Sequence, residues 1–416
     1  MVDEWNWARN LRYSAGDLAT PTSVDELRSV LQGATAAKAL GSRHSFNTVA
    51  DTTGTLIATH ALDVPIELDS ARRSVRVAAG ARYGELSRWL DSRGWALANL
   101  ASLPHISVGG AISTGTHGSG IGNRSLAAAV NAVELMTADG ELRRYQRGDL
   151  PFPGAVVSLG ALGVQTAVDL DIEPRFEVAQ TVYENVLLDD VAASFEAIQH
   201  SAYSVSLFTT LREPDLIDQV WLKVRTDHSS PLPDVLVGRA APEARHPLPG
   251  ESARSCTEQG GAPGGWLDRL PHFRLEFTPS RGDELQTEYL MPVAHAAEAL
   301  AALRSLADRV APVLQVCEVR TVAADDLWLS PAFGRDAVAL HFTWLQEPNA
   351  VAELLPLLEE AFAPFGARPH WGKLFSPRLA ERVDELFPRW AEFAGLRREL
   401  DPTGVFLNDY LRALPL

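Results

Sequence analysis

The chain has 416 residues, of which 46% are hydrophobic, and its formal net charge at pH 7 is −16. This length predicts two or three domains of roughly 100–200 residues each, with enough apolar side chains for a full core. The acidic excess argues against nucleic acid and against an anionic membrane as partners, because both are bound by basic surfaces.

The sequence indicates neither a disulfide framework nor a membrane anchor. The two cysteines, Cys256 and Cys317, form no C-x-x-C pair. The segment MVDEWNWARN lacks the apolar core of a signal peptide, and no run of about 18 uncharged apolar residues predicts a membrane span. We therefore expect a cytoplasmic protein.

The first third of the chain predicts short strands and few long helices. A helix begins after Ser23, where Glu26 completes a capping-box pattern, and it ends at Gly33. Strand-like residues follow between 54 and 80, and the segment 81–94 predicts a second helix. This order is unlike the repeating βα pattern of a doubly wound fold and indicates an α+β domain.

The stretch at 99–123, NLASLPHISVGGAISTGTHGSGIGN, is rich in glycine, serine and threonine and contains no charged Lys, Arg, Asp or Glu. Its glycines and β-branched residues argue against a helix. Glycine lets the backbone approach a ligand closely, and exposed N–H groups form concavities that suit phosphate. We expect this stretch to hold a pyrophosphate-bearing cofactor, although neither a P-loop nor a G-x-G-x-x-G motif is present. A cluster of turns in an ordinary core is the alternative.

After residue 175, strand-like pieces alternate with helices, which predicts an antiparallel sheet covered by helices. The predicted strands are EVAQTVYENV, SVSLFTTL, QVWLKVRT, FRLEF, QTEYLMP, PVLQVCEVRTV and AVALHFTW, and the predicted helices are DDVAASFEAIQH, AHAAEALAALRSLADRV and ELLPLLEEAFAPFG. Residues 227–265 are rich in Pro, Gly, Ala and Ser and predict a long surface excursion.

Four segments carry candidate chemistry. His44 lies in the loop GSRHSFN, where a neutral imidazole can bond to a cofactor or take a proton, or serve only as a structural residue. In VLQVCEVRTV, strand alternation places Glu318 and Arg320 on one face, either as a site or as a structural ion pair.

In AVALHFTWLQ, His341 and Thr343 share a face by the same alternation, and a solvated sheet face is the alternative. In RPHWGKLF, Lys373 lies between aromatic and apolar residues. Desolvation there would lower the lysine pKa and allow base chemistry, and an ordinary solvated lysine is the alternative. Metal-binding H-E-x-x-H and H-x-x-E-H motifs and the G-x-S-x-G motif are absent, so we expect no metal site and no nucleophilic triad.

Five segments together resemble the FAD-linked alditol oxidases of the vanillyl-alcohol-oxidase superfamily. They are GSRHSFN, NLASLPHISVGGAISTGTHGSGIGN, SLGALGVQT, CEVRTVAAD and RPHWGKLF. The resemblance extends over nearly the whole chain and implies an α+β, two-domain fold of the vanillyl-alcohol-oxidase type, in which a PCMH-type FAD-binding domain is joined to a substrate domain with an antiparallel sheet covered by helices. We expect the FAD-binding domain at 1–175, the substrate-binding domain at 176–368, and a C-terminal segment at 369–416 that returns to the FAD-binding domain.

The resemblance also implies one FAD per chain, attached covalently to His44 through the flavin 8-methyl group. The residues expected around the cofactor are Gly41, Ser42, Arg43, His44, Ser45, Ser102, Ser107, Gly110, Thr114, Gly115, Thr116, His117, Gln165 and His370. The family often has glycine or another small residue at position 43, and Arg43 departs from that pattern.

A polyol site is implied as well. Its expected residues are Ser102, Glu318, Arg320, Thr343 and Lys373, with Gln286 and His341 as further lining. Arg320 and Lys373 are the expected catalytic residues, because cations favour a developing alkoxide. The implied activity is oxidation of a terminal alcohol of xylitol, sorbitol or a similar polyol to the aldehyde, with hydride passing to flavin N5 and then to O2 as hydrogen peroxide. We expect a monomer whose partners are the polyol and O2.

Two other functions remain open from the sequence. Aldonolactone oxidases share the G-x-x-H-S and H-W-x-K patterns, so a sugar lactone is an alternative substrate. A sugar-binding protein on a degenerate flavin fold would bind a polyol without making peroxide, but the intact polar set argues against it.

Overall fold

The computed structural model describes residues 2–228, 230–277 and 282–416. The strands are β1 (Asp17–Ala19), β2 (Ala37–Leu40), β3 (Thr55–Ala58), β4 (Glu67–Asp69), β5 (Ser74–Ala78), β6 (Trp95–Ala96), β7 (Val130–Met136), β8 (Leu142–Gln146), β9 (Val164–Asp171), β10 (Glu173–Pro174), β11 (Glu177–Leu187), β12 (Ser204–Thr209), β13 (Leu216–Arg225), β14 (Pro263–Gly265), β15 (Glu284–Pro292), β16 (Leu314–Val322), β17 (Ala337–Leu345) and β18 (Arg368–Pro369).

The α-helices of the same ranges are mostly short. They are α1 (Val24–Gln32), α2 (Tyr83–Asp91), α3 (Val108–Ser113), α4 (Phe152–Val156), α5 (Leu188–Ala193), α6 (Phe195–His200), α7 (Ala296–Ser305), α8 (Ala307–Val310), α9 (Pro348–Phe362), α10 (Pro377–Ala380), α11 (Val383–Leu386), α12 (Trp390–Leu400) and α13 (Asp409–Arg412). Within these ranges, none is long and apolar enough to cross a membrane.

The first part of the chain builds three small sheets, one of which is the pair β6-β10, and the five-stranded sheet contributes to the first of two large apolar cores. The three strands β1, β3 and β2 pair in parallel, and the antiparallel sheet runs in the order β4-β5-β9-β7-β8. Helices α2, α3 and α4 pack against the second sheet, where Leu86, Ile112 and Val156 join Val77 and Val168 in a continuous apolar cluster. This packing positions the loop after β2 and the glycine-rich stretch beside each other.

The second part is an eight-stranded antiparallel sheet in the order β14-β11-β13-β12-β16-β17-β15-β18. Because side chains alternate along a strand, each central strand has one apolar and one polar face. Val319, Leu340 and Tyr289 lie on the apolar face and pack with Leu300 of α7 and Leu358 of α9. The polar face is therefore the one turned away from these helices.

The chain crosses back to the first core near its C-terminal end. After β18 pairs with β15, Trp371 is fully buried and packs against Phe387 and Trp390. These rings belong to the same apolar cluster as the first part of the chain. The segment that carries His370 and Lys373 thus runs between the two cores.

Several local expectations are wrong. Residues 273–277 do not form a strand, because Phe273 makes only an isolated bridge with Cys256 and a turn follows it. The expected helix at 189–200 is broken into α5 and α6 at Ser194. The glycine-rich stretch contains the six-residue helix α3, because Val108 and Ile112 pack into the core and outweigh the weak helix propensity of their neighbours.

The segment 227–265 is also more than a surface excursion. Ser229 lies outside the described residues, but Leu236 and Cys256 are fully buried. His246 and Leu248 border the central cavity. Burial of its few apolar residues folds this polar, proline-rich segment against the sheet.

We expect Gly54→Ala to destabilise the protein by about 1–3 kcal/mol, the usual cost of overpacking. A Cβ at this position would clash with the carbonyl oxygen of Ala36, where β3 pairs with β2. Gly122→Ala is the matched control, because no atom lies within 4 Å of its Cβ position and its backbone suits any residue. Equal unfolding midpoints for the two variants in urea would contradict the close approach of these strands.

Candidate active site

One cavity lies between the two cores, and most residues singled out from the sequence border it. They are Gly41, Ser42, Arg43, His44, Ser45, Ser102, Gly110, Thr114, Thr116, His117, Gln165, Gln286, Glu318, Arg320, His341, Thr343, His370 and Lys373. Two expected residues do not border it. Ser107 contacts the 41–45 loop from behind, and Gly115 lies beside Pro331 with a φ of 71°.

His44 lies at one end of the cavity in a protected setting. Its ring stacks on Trp7, with 5.1 Å between the ring centroids and 20° between the planes. Its Nδ1 is buried and has no hydrogen-bond partner of ordinary geometry. Burial is the main reason why the pKa of His44 falls to about 4. The imidazole is therefore neutral at pH 7 and carries a nitrogen lone pair that can act as a nucleophile.

The backbone conformation at position 43 explains why the family often has a small residue where this chain has Arg43. Arg43 has a φ of 63°, in the left-handed region that favours glycine, which is why a small residue suits this position. Its carbonyl accepts a hydrogen bond from the Trp7 N–H at 2.8 Å. Its guanidinium pairs with Glu4 at 3.1 Å. Arg43 thus ties the His44 loop to the N-terminal segment.

Two glycines let the His44 loop approach α3. A Cβ at Gly41 would clash with Ser107 Oγ, and a Cβ at Gly110 would lie 2.7 Å from the same atom. Ser107 Oγ accepts from the Ser42 N–H at 3.3 Å, and Ser42 Oγ accepts from the Ser107 N–H at 3.1 Å. This reciprocal pair holds the loop against the helix and leaves the glycine backbone facing the cavity.

Several polar side chains border this end of the cavity, and two buried atoms among them have no hydrogen bond of ordinary geometry. Gln165 Oε1 is buried without a hydrogen bond, as is Nδ1 of His44. The hydroxyls of Thr114 and Thr116 lie 3.3 Å apart. Because buried polar groups are normally satisfied, unpaired atoms around a glycine-lined cavity suit a large polar ligand such as a flavin dinucleotide.

The other end of the cavity is the polar face of the large sheet. Strand register places Glu288 of β15 opposite His341 of β17, and His341 opposite Glu318 of β16. The same face carries Gln286, Arg320 and Thr343. Glu318, Arg320 and Thr343 are each less than 10% exposed. These side chains therefore form a buried site rather than a solvated sheet face.

Glu288 joins the cations of the site. Its Oε1 lies 2.7 Å from the Arg320 guanidinium and 3.2 Å from His117 Nε2, and its Oε2 lies 2.6 Å from Lys373 Nζ. Burial acts to raise the pKa of Glu288, but Lys373, Arg320 and His117 together hold it well below its usual value. Glu288 is therefore an anion that fixes the two expected catalytic cations.

Glu318 is the second buried anion. Its Oε1 lies 2.7 Å from His272 Nε2 and 3.6 Å from Arg320 Nε, while its Oε2 lies 3.4 Å from His341 Nδ1. Burial opposes ionisation, but Arg320 and His272 hold the pKa of Glu318 well below its usual value. Burial lowers the pKa of His341 to about 4, so this ring is neutral at pH 7.

Two opposing effects act on the pKa of Lys373. Burial lowers its pKa, and the adjacent Glu288 carboxylate acts against that shift. Its backbone N–H donates to the His370 carbonyl at 3.1 Å, which fixes the turn that carries it. The ammonium is therefore desolvated and held in one place, as a group that stabilises or exchanges a proton at a reacting oxygen must be.

Sequence reasoning missed Glu288 and His272. Glu288 follows Gln286 by two positions in QTEYLMP, so strand alternation alone could have placed both on one face. His272 lies in a turn that was expected to lead into a strand, and its contact with Glu318 depends on tertiary folding. No local pattern marks it.

Comparisons with known proteins identify the fold and the family of the chain. Residues 17–146 match the FAD binding domain family, and residues 280–414 match the D-arabinono-1,4-lactone oxidase family. The fold resembles crystallised cholesterol oxidase from B. sterolicum with a TM-score of 0.81 at 14% identity, over 99% of this chain and 96% of that one. The α+β fold of a vanillyl-alcohol-oxidase-type flavoprotein is confirmed.

Similarity to individual proteins narrows the class of flavoprotein to which the chain belongs. The chain is 52% identical over 412 residues to an alditol oxidase of Streptomyces sp., covering 98% of each chain. It is 30% identical to an L-gulono-1,4-lactone dehydrogenase of Mycobacterium tuberculosis, covering 98% of this chain and 97% of the relative. It is 28% identical to L-gulonolactone oxidase of Mus musculus, covering 98% and 96%. The chain belongs to the alditol oxidase family of FAD-dependent oxidoreductases.

Proposed function

We propose that this enzyme oxidises the terminal primary alcohol of alditols such as xylitol and sorbitol to the aldehyde, with O2 as the final acceptor and hydrogen peroxide as the second product. The main support is the buried row of donors and acceptors on β15, β16 and β17, which suits a ligand with many hydroxyls and no net charge. The alditol oxidase of Streptomyces, similar over 98% of the chain, points the same way.

We propose that FAD is attached covalently to His44. The support is a neutral imidazole, at the glycine-lined end of the cavity, whose buried Nδ1 has no hydrogen bond of ordinary geometry. Gly41, Gly110 and Gln165 would hold the cofactor there, because they offer backbone approach and an unpaired acceptor. Bound FAD supplies the acceptor for the hydride that leaves the alcohol carbon, and O2 reoxidises it.

The protein side chains would act on the substrate hydroxyls. Glu318 accepts hydrogen bonds from them, and Ser102 and Thr343 both donate and accept. The cations Arg320 and Lys373 stabilise the negative charge that develops on the reacting oxygen as its proton departs. Because Glu288 already fixes both cations, little reorganisation is needed at the moment of reaction.

A sugar lactone is the second candidate substrate. It is favoured by the match of residues 280–414, which include Gln286, Glu318 and Lys373, to the D-arabinono-1,4-lactone oxidase family.

We further propose that the enzyme is a cytoplasmic monomer, which gel filtration and cell fractionation would test.

A peroxide assay over matched polyols and lactones tests the activity. We expect turnover of xylitol and sorbitol to exceed that of L-gulono-1,4-lactone by at least about tenfold in kcat/KM, because the equally uncharged lactone has lost hydroxyls to its ring ester and offers fewer of them to the row of polar side chains. Faster turnover of the lactone would favour the alternative. Polyol binding with no peroxide from either class of substrate would contradict an oxidase of either kind.

His44→Ala should abolish covalent attachment of the flavin while leaving noncovalent binding in place. Intact-mass measurement of the wild-type protein, from cells supplied with riboflavin, should give the polypeptide plus FAD, and the variant should give the polypeptide alone. His60→Ala is the control, since His60 is exposed and outside the cavity. A wild-type mass equal to the bare polypeptide would refute the linkage.

Lys373→Met should slow reduction of the flavin by xylitol by about a hundredfold or more, because it removes a cation aimed at the reacting oxygen. Lys373→Arg keeps the charge and should retain more of the rate. Stopped-flow absorbance of the flavin measures this step separately from reaction with O2. An unchanged reduction rate in Lys373→Met, with flavin bound, would remove Lys373 from the chemistry.

A further inference from the structure

A chain of polar contacts extends from Glu318 into the sheet on the side of β13. Glu318 Oε1 lies 2.7 Å from Nε2 of His272, and Nδ1 of the same ring lies 3.1 Å from Nζ of Lys223. Lys223 is 1% exposed, and it does not border the cavity. A buried lysine one residue beyond the substrate face needs a physical reason, because burying a charge without partners is costly.

The partners of Lys223 define its hydrogen bonds. Its Nζ lies 2.5 Å from the Leu270 carbonyl oxygen and 3.1 Å from that of Pro271. With His272 Nδ1, the ammonium has three acceptors for its three N–H groups, and an ammonium cannot accept. Lys223 therefore donates to Nδ1, and the neutral imidazole must carry its proton on Nε2.

The orientation of the imidazole is fixed by packing. Its ring meets Trp221 edge-on at 5.2 Å and Phe208 at 5.6 Å between centroids. With Nδ1 committed to Lys223, the Nε2–H points at Glu318 Oε1. One oxygen of the carboxylate is thereby occupied, and Oε2 is left for the cavity and His341.

We propose that His272, held in its Nε2–H tautomer by Lys223, is a positioning residue that orients the Glu318 carboxylate for the substrate hydroxyls. This rests on the proposed polyol oxidation. His272 acts through Glu318, and Lys223 acts through His272. The loop at 270–272, which supplies the two carbonyls and the ring, belongs to the substrate site for this reason.

Because Lys223 can lose its proton, this proposal predicts that the KM for the substrate depends on pH. The charged and titratable groups that face Lys223 are His272, Glu318, Cys256 and Arg320. Burial is the main reason why the pKa of Lys223 falls to about 7. Above that pH the neutral amine no longer enforces the tautomer, so orientation of Glu318 weakens. The KM for xylitol should therefore rise as the pH increases through about 7.

The test compares KM and kcat for xylitol in the flavin-loaded wild-type enzyme and three variants. His272→Phe keeps a ring but removes the donor, and we expect KM to rise about tenfold with kcat changed less than about threefold. His272→Gln restores an N–H donor and should recover part of the loss. Lys223→Met should raise KM at pH 6, and its ratio to the wild-type KM should shrink by pH 9.

Gln180→Met is the matched structural control. Buried Gln180 donates to the Thr257 and Glu258 carbonyls, and Thr257 in turn donates to the carbonyls of Pro271 and His272. Loss of Gln180 therefore loosens the segment that supports the 270–272 loop without touching Glu318. If Gln180→Met raises KM as much as His272→Phe does, loop anchoring explains the effect and the positioning role is overturned. An unchanged KM in both His272→Phe and Lys223→Met also overturns it, as does a Lys223→Met ratio that is constant with pH.

Failure of the proposed function can be told apart from failure of the role proposed for His272 and Lys223. If the wild-type enzyme makes no peroxide from any alditol, the proposed function itself fails. If the wild-type enzyme is active and only the variant predictions fail, the error lies in the role given to His272 and Lys223. Circular dichroism and flavin content confirm that each variant is folded, and His272→Gln and Lys223→Met stand in if His272→Phe is not.

Discussion

The polar face of the large sheet depends on one constraint, which is that its buried positive and negative charges neutralise each other. Glu288 and Glu318 are both ionised inside the protein, and each can remain so only because cations lie against it. Arg320 contacts both carboxylates and joins the two groups into one network. The result is a row of donors and acceptors whose orientation is set before a ligand arrives, which is the arrangement that favours catalysis by electrostatic preorganisation.

Part of this site could be predicted because strand periodicity is local. Two-residue alternation places Glu318 with Arg320, and His341 with Thr343, on one face without any knowledge of the fold. The contact of Glu288 with Lys373 could not be found this way, since it joins a strand to a turn 85 residues later. His272 was missed for the same reason. It lies in an irregular turn, and only the folded chain brings its ring next to Glu318.

The cofactor end was predicted from different information. Glycine content predicts close approach of the backbone to a ligand, and this stays a prediction; within the protein, Gly41 and Gly110 make room for Ser107. The helix α3 was not foreseen, because low intrinsic propensity was outweighed by burial of Val108 and Ile112. The overall α+β organisation followed from element order, whereas the break in the helix at Ser194 depends on packing that no local pattern records.

The return of the chain to the first core limits how the enzyme can move. Strand β18 is hydrogen-bonded into the large sheet, and two residues later Trp371 is locked among the aromatic rings of the other core. Lys373 stands on this short bridge, so swinging the two halves apart would drag its ammonium away from Glu288 and break the ion pair. Substrate exchange by wide hinge opening is therefore disfavoured. Substrate and product enter and leave the cavity through rearrangements of side chains and loops around its rim.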